Sequence, residues 1–313
     1  MTHYDIIGDI HGHAEELRHL LTRLGYRRSG HGYQHDERQV VFVGDFIDRG
    51  PEILEAIQIA RATVEDGHGH AVMGNHEFNA IAFHTRRPDS REFFRTRDEK
   101  NQKQHQATLD QLSSRELSDA INWFRTLPVA IEFDKFRIVH AAWQPADIAC
   151  INASLVELGR FTTEFLTSAF DKDSPLHRAI ENVLKGPEIK LPAGKSFFDK
   201  DGNERFHTRV RWYADSAGMT IQDYSIGAGD NLPDEPVPDR EKGSDQKIEA
   251  YPDSAPPVFF GHYWLQGKPD RFKKNVACVD YSVAKHGKLC AYHWRADDKS
   301  IKQERYTWVD SLD

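Results

Sequence analysis

The chain has 313 residues, which allows either one large domain with insertions or two smaller domains. Hydrophobic residues make up 39% of it and charged residues 29%, and no apolar run approaches the roughly 20 residues of a membrane-spanning helix. The formal charge of -8 disfavours non-specific nucleic-acid binding, which depends on excess Lys and Arg facing phosphates. We therefore expect neither a membrane nor non-specific nucleic acid as a partner.

The first residues of the sequence and its cysteines indicate the compartment. The residues after Met1 enter an apolar segment at once, without the basic region and longer apolar core of a secretory signal. Cys150, Cys278 and Cys290 are few and widely spaced, which favours reduced thiols over a disulfide framework. These features predict a cytoplasmic protein.

The first part of the chain predicts three successive strands, the first two each followed by a helix. The strands cover residues 3–8, 40–43 and 71–73, and the helices carry apolar residues along one face. Residues 29–38 read as a polar turn, and Pro51 is placed to begin the second helix. Because right-handed crossovers bring the carboxyl ends of parallel strands to one edge of a sheet, polar residues that follow these strands should lie together.

The middle of the chain is more polar. Residues 86–120 predict a solvated helical excursion without catalytic residues, since they are dense in charged and amide side chains. A hairpin is predicted over residues 129–139, helical structure over 154–185, and a long surface loop over 227–257, which is rich in Gly, Pro, Asp and Glu.

A last block of strands is predicted between residues 258 and 294. A turn at Lys285 and His286 would close its final hairpin and place Cys290 opposite Tyr281.

Polar residues that follow the predicted strands form a mixed oxygen and nitrogen ligand set: Asp9, His11, Asp45, Asn75, His140 and His262. Carboxylates, imidazoles and a carboxamide together suit two borderline divalent ions, Mn, Fe, Zn, Co or Ni, rather than Ca or Mg. Asp45 comes from the strand that neighbours the one before Asp9 and His11, and is the natural carboxylate to bridge two ions about 3.5–4 Å apart.

Five motifs in this order resemble the calcineurin-like metallophosphoesterase superfamily: Gly-Asp-x-His-Gly (8–12), Gly-Asp-x-x-Asp-Arg-Gly (44–50), Gly-Asn-His-Glu (74–77), Val-His-Ala (139–141) and Gly-His (261–262). Within it, the likeness is to the phosphoprotein phosphatase branch and to the symmetrical diadenosine tetraphosphatases. Residues 206–212 and 260–268 resemble segments of the tetraphosphatases in particular.

The resemblance implies an α/β fold of four layers, α-β-β-α, with two mixed sheets flanked by helices. It also implies that residues 1–313 form a single catalytic domain, with a helical excursion at about 80–125 and a variable insert at about 150–257.

By the same resemblance, two divalent ions are expected, with Mn²⁺ as first choice. Asp9 and His11 would bind one ion, Asp45 would bridge, and the second ion would take Asn75, His140 and His262. Many superfamily members continue the last motif to Gly-His-x-His, but here Tyr263 and Trp264 follow, which leaves the first ion three protein ligands.

The resemblance also assigns catalytic roles. A hydroxide bridging the ions would attack phosphorus, and His76, oriented by Asp48, would protonate the leaving oxygen. Arg49 and Asn75 would hold the substrate phosphate, with help from a helix N-terminus at Pro51. Arg211, or failing that Arg209, is the expected second phosphate clamp.

The expected activity is hydrolysis of phosphate esters or anhydrides, first as a phosphatase of the serine/threonine type acting on phosphoproteins or small phosphomonoesters. The alternative is a symmetrical bis(5'-nucleosyl)-tetraphosphatase acting on dinucleoside polyphosphates, which residues 206–212 and 260–268, here called the tail segments, favour. A third hypothesis is a non-catalytic scaffold of the same fold.

Three tryptophans near the ligand positions are expected to pack under loops, with nucleobase stacking as the alternative use: Trp143, Trp212 and Trp264.

Overall fold

The computed structural model of the protein describes residues 2–198, 204–227, 232–237 and 248–312. Its first half contains β1 (His3–Ile7), α1 (Ala14–Arg23), β2 (Arg27–Ser29), β3 (Gly32–Gln34), β4 (Arg38–Phe42), α2 (Ile53–Glu65), β5 (Gly69–Ala71), α3 (Asn75–His84), α4 (Glu99–Gln111), α5 (Ser114–Phe124), β6 (Ala130–Glu132) and β7 (Arg137–Val139).

The second half continues with α6 (Pro145–Glu157), α7 (Thr163–Ala169), α8 (Pro175–Lys185), β8 (Glu188–Lys190), β9 (Phe197–Phe198), β10 (Glu204–Arg205), β11 (His207–Arg209), α9 (Ile221–Tyr224), β12 (Val258–Phe260), β13 (Arg271–Lys273), β14 (Val276–Cys278), β15 (Asp280–Tyr281), β16 (Lys288–Trp294) and β17 (Tyr306–Asp310). Short 3₁₀ helices cover Val283–Lys285 and Gln303–Arg305.

Two mixed sheets form the centre of the fold. In the first sheet the strand order is β15-β16-β1-β4-β5, with β17 also paired to β16, and β1, β4 and β5 run parallel. In the second sheet the order is β13-β14-β12-β7-β6, and β12 is parallel to both of its neighbours. The three parallel strands of the first sheet therefore end at one edge, as the sequence predicts.

The inner faces of the two sheets pack against each other through fully or almost fully buried apolar side chains, among them Ile6, Val41, Phe136, Phe259 and Trp294. Such face-to-face packing buries the alternate side chains of both sheets in one apolar layer. Helices α1 and α2 contact the strands of the first sheet from outside, and α6 packs on α8 beside β7. The four-layer α-β-β-α prediction is confirmed.

Three local predictions differ from the structure. Residues 29–38 are not only a turn, because β2 and β3 pair there as a hairpin. Helix α2 begins at Ile53 rather than at Pro51, and the Ile53 amide donates to Oε1 of Gln111 over 2.9 Å. A side chain therefore satisfies one of the free amides of that helix N-terminus, and the expectation that the N-terminus helps to hold phosphate stays a prediction.

The register of the last hairpin was predicted wrongly by two residues. Tyr281 pairs with Lys288 rather than with Cys290, because the loop contains a 3₁₀ turn between two left-handed residues, Ser282 and His286. All three cysteines are free, as predicted.

The region predicted as a variable insert, residues 150–257, begins within the long helix α6 and continues with α7 and α8. After them come two short antiparallel ladders, β8 with β11 and β9 with β10. Part of the predicted loop at 227–257 lies outside the described residues. Among the described helices, none has both the length and the apolar character needed to span a membrane.

Candidate functional site

All six predicted metal ligands lie together at the carboxyl ends of β1, β4, β5, β7 and β12, and each is buried. The ligand atoms of His11, Asp45 and His76 all lie within 4.8 Å of one another, and so do those of Asp45, His140 and His262. The backbone here is strained, because His11, Asp45 and His262 are non-glycine residues with positive φ. Such strain concentrates where the fold must aim side chains at a ligand.

Three buried atoms of the ligand set have no hydrogen-bond partner in the described structure: Oδ1 of Asp9, Nε2 of His11 and Nε2 of His262. A buried polar atom without a partner costs about 1–3 kcal/mol, so three of them in one set of candidate ligands favour a site that a ligand completes. A bound divalent ion would satisfy each of these atoms. The donor set present therefore fits the metal ions that the residues predict.

Hydrogen bonds on the far side of two imidazoles fix which nitrogen faces the cluster. Nδ1 of His11 donates to the carbonyl of Ile47 over 2.9 Å, and Nδ1 of His140 donates to the carbonyl of Val43 over 2.7 Å. Because a carbonyl only accepts, these contacts place the proton on Nδ1 and leave the Nε2 lone pair for a metal.

Acceptor atoms face one another around His140. Its Nε2 lies 3.2 Å from Oδ1 of Asn75 and 3.4 Å from Oδ2 of Asp45. With Nδ1 already protonated, these three atoms attract one another only when a proton or a metal ion lies among them. Burial alone would lower the pKa of His140, but the Asp45 carboxylate raises it above its ordinary value.

Two glycines make room for the carboxylates. A Cβ at Gly261 would lie 2.0 Å from Oδ1 of Asp9, and a Cβ at Gly74 would lie 2.2 Å from Oδ1 of Asp45. No side chain larger than hydrogen fits at these distances. The glycines of the Gly-His and Gly-Asn-His-Glu motifs are therefore required by the approach of the two acidic ligands.

The charges of the cluster determine its protonation. Burial, together with the nearby His76, lowers the pKa of His11 to about 3, so this imidazole is neutral. Burial opposes ionisation of Asp45, but His140 and His76 hold the pKa of this carboxyl well below its usual range. Burial and the charge of Asp280 raise the pKa of Asp9. A neutral imidazole and an ionised bridging carboxylate are the forms that bind a metal.

A second cluster lies beside the first and is fully hydrogen-bonded around Asp48. Nδ1 of His76 donates to Oδ2 of Asp48 over 2.5 Å, while Oδ1 accepts from Nδ1 of His105 over 2.7 Å and from the Thr108 hydroxyl over 2.6 Å. The Asp48 amide donates in turn to the Thr108 oxygen. Burial would raise the pKa of Asp48, but the bonds from His105 and His76 hold it well below its usual range.

This arrangement suits His76 for proton donation. Burial alone would lower its pKa, but the carboxylates of Asp45 and Asp48 raise it above the ordinary value of histidine. Its Nε2 points back to the metal ligands, 4.0 Å from Oδ2 of Asp45. The contact between His76 and Asp48 is observed, and the roles of acid and partner stay a prediction.

The predicted phosphate-binding arginines are placed differently from one another. The Arg49 guanidinium lies 4.1 Å from the centroid of the Trp264 ring, and its charge lowers the pKa of His11. Nε of Arg211 donates to the Ser225 carbonyl. Burial and the charge of Arg209 lower the pKa of His262, so the Arg209 charge acts directly on the ligand cluster.

Four residues of the site were not identified from the sequence. Glu77 accepts from the amides of Gly74, Asp45 and Phe46, and so holds the loop that carries the bridging carboxylate. Its pKa is raised to about 7 by burial and by Asp45. The other three are Asp280, His105 and Thr108.

Helix α4 corrects the expectation that residues 86–120 are only solvated, because its His105 and Thr108 are buried against Asp48. Nothing in this polar helix distinguishes them, although their i, i+3 spacing places them on one face. Glu77, by contrast, belongs to the Gly-Asn-His-Glu motif, and this motif was a signal from which its role could have been found.

The tryptophans resolve into two groups. Trp212 and Trp143 are buried among apolar residues, which confirms the packing prediction for both. Trp264 is only partly buried and lies with its ring centroid 5.6 Å from that of His11.

Comparison with known proteins matches residues 3–185 to the family model of the calcineurin-like phosphoesterases. The asymmetrical bis(5'-nucleosyl)-tetraphosphatase PrpE of Oceanobacillus iheyensis is 47% identical over 73 residues, which are 23% of this chain and 29% of that protein. The match therefore spans less than a third of this curated relative, and covers only a local segment of both chains.

Solved structures resemble the whole chain at low identity. A serine/threonine phosphatase from Saccharomyces cerevisiae, similar to human phosphatase PP5, aligns with a TM-score of 0.52 and 14% identity, over 100% of this chain and 81% of that one. A candidate diadenosine tetraphosphatase aligns with a TM-score of 0.50 and 15% identity, over 99% and 94%. At such identities the likeness concerns the fold alone.

Proposed function

The chain belongs to the calcineurin-like phosphoesterase family, whose members are phosphoester hydrolases, and from this premise we propose that it hydrolyses phosphate esters or anhydrides with two divalent ions, Mn²⁺ first. Asp9 and His11 would hold one ion, Asp45 both, and the second would be held by Asn75, His140 and His262. The observation that carries this proposal is the set of buried, partnerless atoms on Asp9, His11 and His262.

Bound ions would supply charge to neutralise the phosphoryl oxygens and to acidify the attacking water. The chain's own residues bind the phosphoryl group and donate the proton. Arg49 binds a phosphoryl oxygen pair through its planar fork. The attacking water releases one proton to solvent, its oxygen bonds to phosphorus as the bond to the leaving oxygen breaks, and the leaving oxygen takes the proton from Nε2 of His76. Asp48 holds the other nitrogen of His76 and stabilises the protonated ring.

Arg209 is the better candidate for a second phosphate clamp. Its charge acts on His262, and its Nε donates to the Lys185 carbonyl, which fixes the base of the side chain near the ligand cluster. Arg211, which the sequence favoured, donates through its Nε to the Ser225 carbonyl in the same way, so the effect of the Arg209 charge on His262 is what separates the two arginines.

Two substrate classes remain in the proposal. The first is phosphomonoesters, including phosphoproteins, for a phosphatase of the serine/threonine type. The second is dinucleoside tetraphosphates, supported by the local identity to PrpE and by the tail segments at 206–212 and 260–268. PrpE is named asymmetrical, whereas those tail segments resemble symmetrical enzymes. The scaffold hypothesis has less support, because the site retains His76, Asp48 and Arg49.

A substrate panel tests the proposal. Purified protein with added Mn²⁺ is assayed on a phosphopeptide, an aryl phosphate and diadenosine tetraphosphate, with Asp45→Asn as the inactive control. Two ADP as products would mean symmetrical cleavage, and AMP with ATP asymmetrical cleavage. Absence of turnover on every substrate with every divalent metal would overturn the enzyme assignment.

The role of His76 has its own test. His76→Ala should keep its metal content but lose most turnover on substrates with poor leaving groups, since only those need a proton donor. Loss of metal together with activity would show that His76 is a ligand instead.

A further inference from the structure

Trp264, two residues after His262, is contacted by two cationic side chains. Arg49 approaches its ring centroid to 4.1 Å and Lys285 to 4.7 Å. Contacts of this kind fix a cation over the electron-rich face of an aromatic ring. The same indole lies beside His11 of the metal cluster.

The two loops that bring these residues together are tied by one buried carboxylate. Asp280 accepts through Oδ2 from the Trp264 amide over 2.6 Å, and through Oδ1 from the Ser282 amide over 2.9 Å. The Ser282 hydroxyl then donates to the carbonyl of Leu265. Lys285 follows in the same turn, at the end of the 3₁₀ helix.

The backbone at these positions is held away from its preferred conformation. Trp264 and Ser282 have positive φ, as does Arg49. Non-glycine residues adopt this conformation only where surrounding contacts impose it. The fold therefore imposes the backbone positions of Trp264 and Arg49, and the strained Ser282 precedes the turn that carries Lys285.

Charge makes this cluster significant. The whole chain carries a formal charge of -8, yet Arg49 and Lys285 converge on one ring next to the predicted metal pair. Under the proposed function, Arg49 binds the phosphoryl group under attack. A second cation at the same indole matches an anion with more than one phosphoryl group, since each such group offers charged oxygens that accept from a cation of its own.

We propose that Arg49, Trp264 and Lys285 form a polyphosphate subsite, in which Trp264 positions both cations and Lys285 binds the phosphoryl group next to the one attacked. This inference rests on the proposed function and narrows its substrate to the phosphoanhydride class. Trp264 is a positioning residue, and Lys285 determines specificity.

The test compares a bisphosphonate with a single phosphate as competitive inhibitors of aryl phosphate turnover, at constant free Mn²⁺. Methylenediphosphonate is used because its P–C–P linkage cannot be hydrolysed. We expect Lys285→Met to weaken methylenediphosphonate about tenfold, the effect of one lost charged hydrogen bond, and to leave inhibition by orthophosphate within about twofold. Lys285→Arg should restore the binding.

Lys288→Met is the matched control, since Lys288 lies three residues further along and pairs with Asp310 instead of facing Trp264. It should change neither inhibitor. Trp264→Leu should weaken methylenediphosphonate at least as much as Lys285→Met, because it releases both cations.

Equal effects of Lys285→Met on both inhibitors, or no effect on either, would overturn the proposal. So would a Trp264→Leu variant that loses affinity for AMP but keeps that for methylenediphosphonate, which would indicate nucleobase stacking. Calorimetric titration of the Mn²⁺-loaded protein measures the same affinities without turnover. A chain that binds methylenediphosphonate through Lys285 but hydrolyses nothing would refute the proposed function and leave the subsite standing.

Discussion

The two sides of His76 differ in how their polar atoms are satisfied. On the metal side, atoms of Asp9, His11 and His262 are buried without a partner. On the other side, both oxygens of Asp48 accept hydrogen bonds, two of them from helix α4. The first region has the form of a site completed by a ligand, and the second that of a support completed by the protein itself. Substitutions on the metal side should therefore remove turnover without lowering stability, whereas substitutions around Asp48 should lower stability and leave metal binding intact.

The largest effect is expected from Asp9→Asn. Turnover should fall by at least about 1000-fold, more than the 10–100-fold typical when only an outer partner of a ligand is lost, because a metal ligand itself is gone. The metal-free protein should be as stable as wild type or about 1 kcal/mol more stable, since a neutral amide replaces a buried acid. Metal analysis, kinetics and urea unfolding without metal measure these effects. A loss of more than about 3 kcal/mol would show that Asp9 is a structural residue.

Asp48→Asn should give the reverse combination. Metal content should be retained, while the free energy of unfolding falls by about 3 kcal/mol, because His76 and His105 lose the charge that they both contact. Turnover of an alkyl phosphate should fall about 100-fold, and that of an aryl phosphate much less, since aryl leaving groups need no proton. Equal losses on both substrates would show that Asp48 does not act through proton transfer to the leaving oxygen.

Thr108→Val tests the support from helix α4 alone. The variant removes the hydroxyl that donates to Asp48 and accepts from its amide, which should cost about 2 kcal/mol of stability and about tenfold in turnover of an alkyl phosphate. Thr167→Val, at an exposed helical position, is the control and should change neither. Unaltered stability in the Thr108 variant would mean that Asp48 is held without the helix.

The smallest effect concerns pH and the end of the Asp48 chain. Nε2 of His84 lies 3.2 Å from Nε2 of His105, and burial, with the charges of His105 and Arg97, lowers the pKa of His84 to about 4. Between the unfolded value of about 6.5 and that folded value, the unfolded chain binds more protons. Stability is then fully present above about pH 6.5 and decreases as pH falls towards 4.

His84→Gln should reduce this pH dependence by about 1 kcal/mol, allowing for solvent screening of a half-buried side chain. Urea unfolding of the metal-free protein at pH 7 and pH 5 measures it, with the exposed His31→Gln as control. Parallel pH profiles for wild type and His84→Gln would contradict the assignment.

The same contrast explains what the sequence could predict. The metal ligands follow strands, and parallel strands end at one edge, so Asp9, Asp45 and Asn75 were predictable from local pattern and topology. Their motifs also carry the glycines that make room for them. The four-layer fold was implied by the resemblance of these motifs to a known superfamily.

The support for Asp48 was not predictable, because His105 and Thr108 come from a polar helix whose docking depends on tertiary packing rather than on periodicity. Asp280 was missed for a related reason. The sequence shows one continuous strand there, but the chain passes from β14 in the second sheet to β15 in the first, and the last hairpin shifts accordingly. Local pattern does not encode such a change of partner.

The central claim is that the ligand cluster, with its buried partnerless atoms, holds two ions and that turnover requires both. The measurement is a titration of metal-free protein with Mn²⁺, following bound metal and aryl phosphate hydrolysis in the same samples. We predict that hydrolysis is absent without metal and reaches its maximum when two ions are bound per chain. Hydrolysis by the metal-free protein, or a titration in which no Mn²⁺ binds to the protein, would contradict this claim.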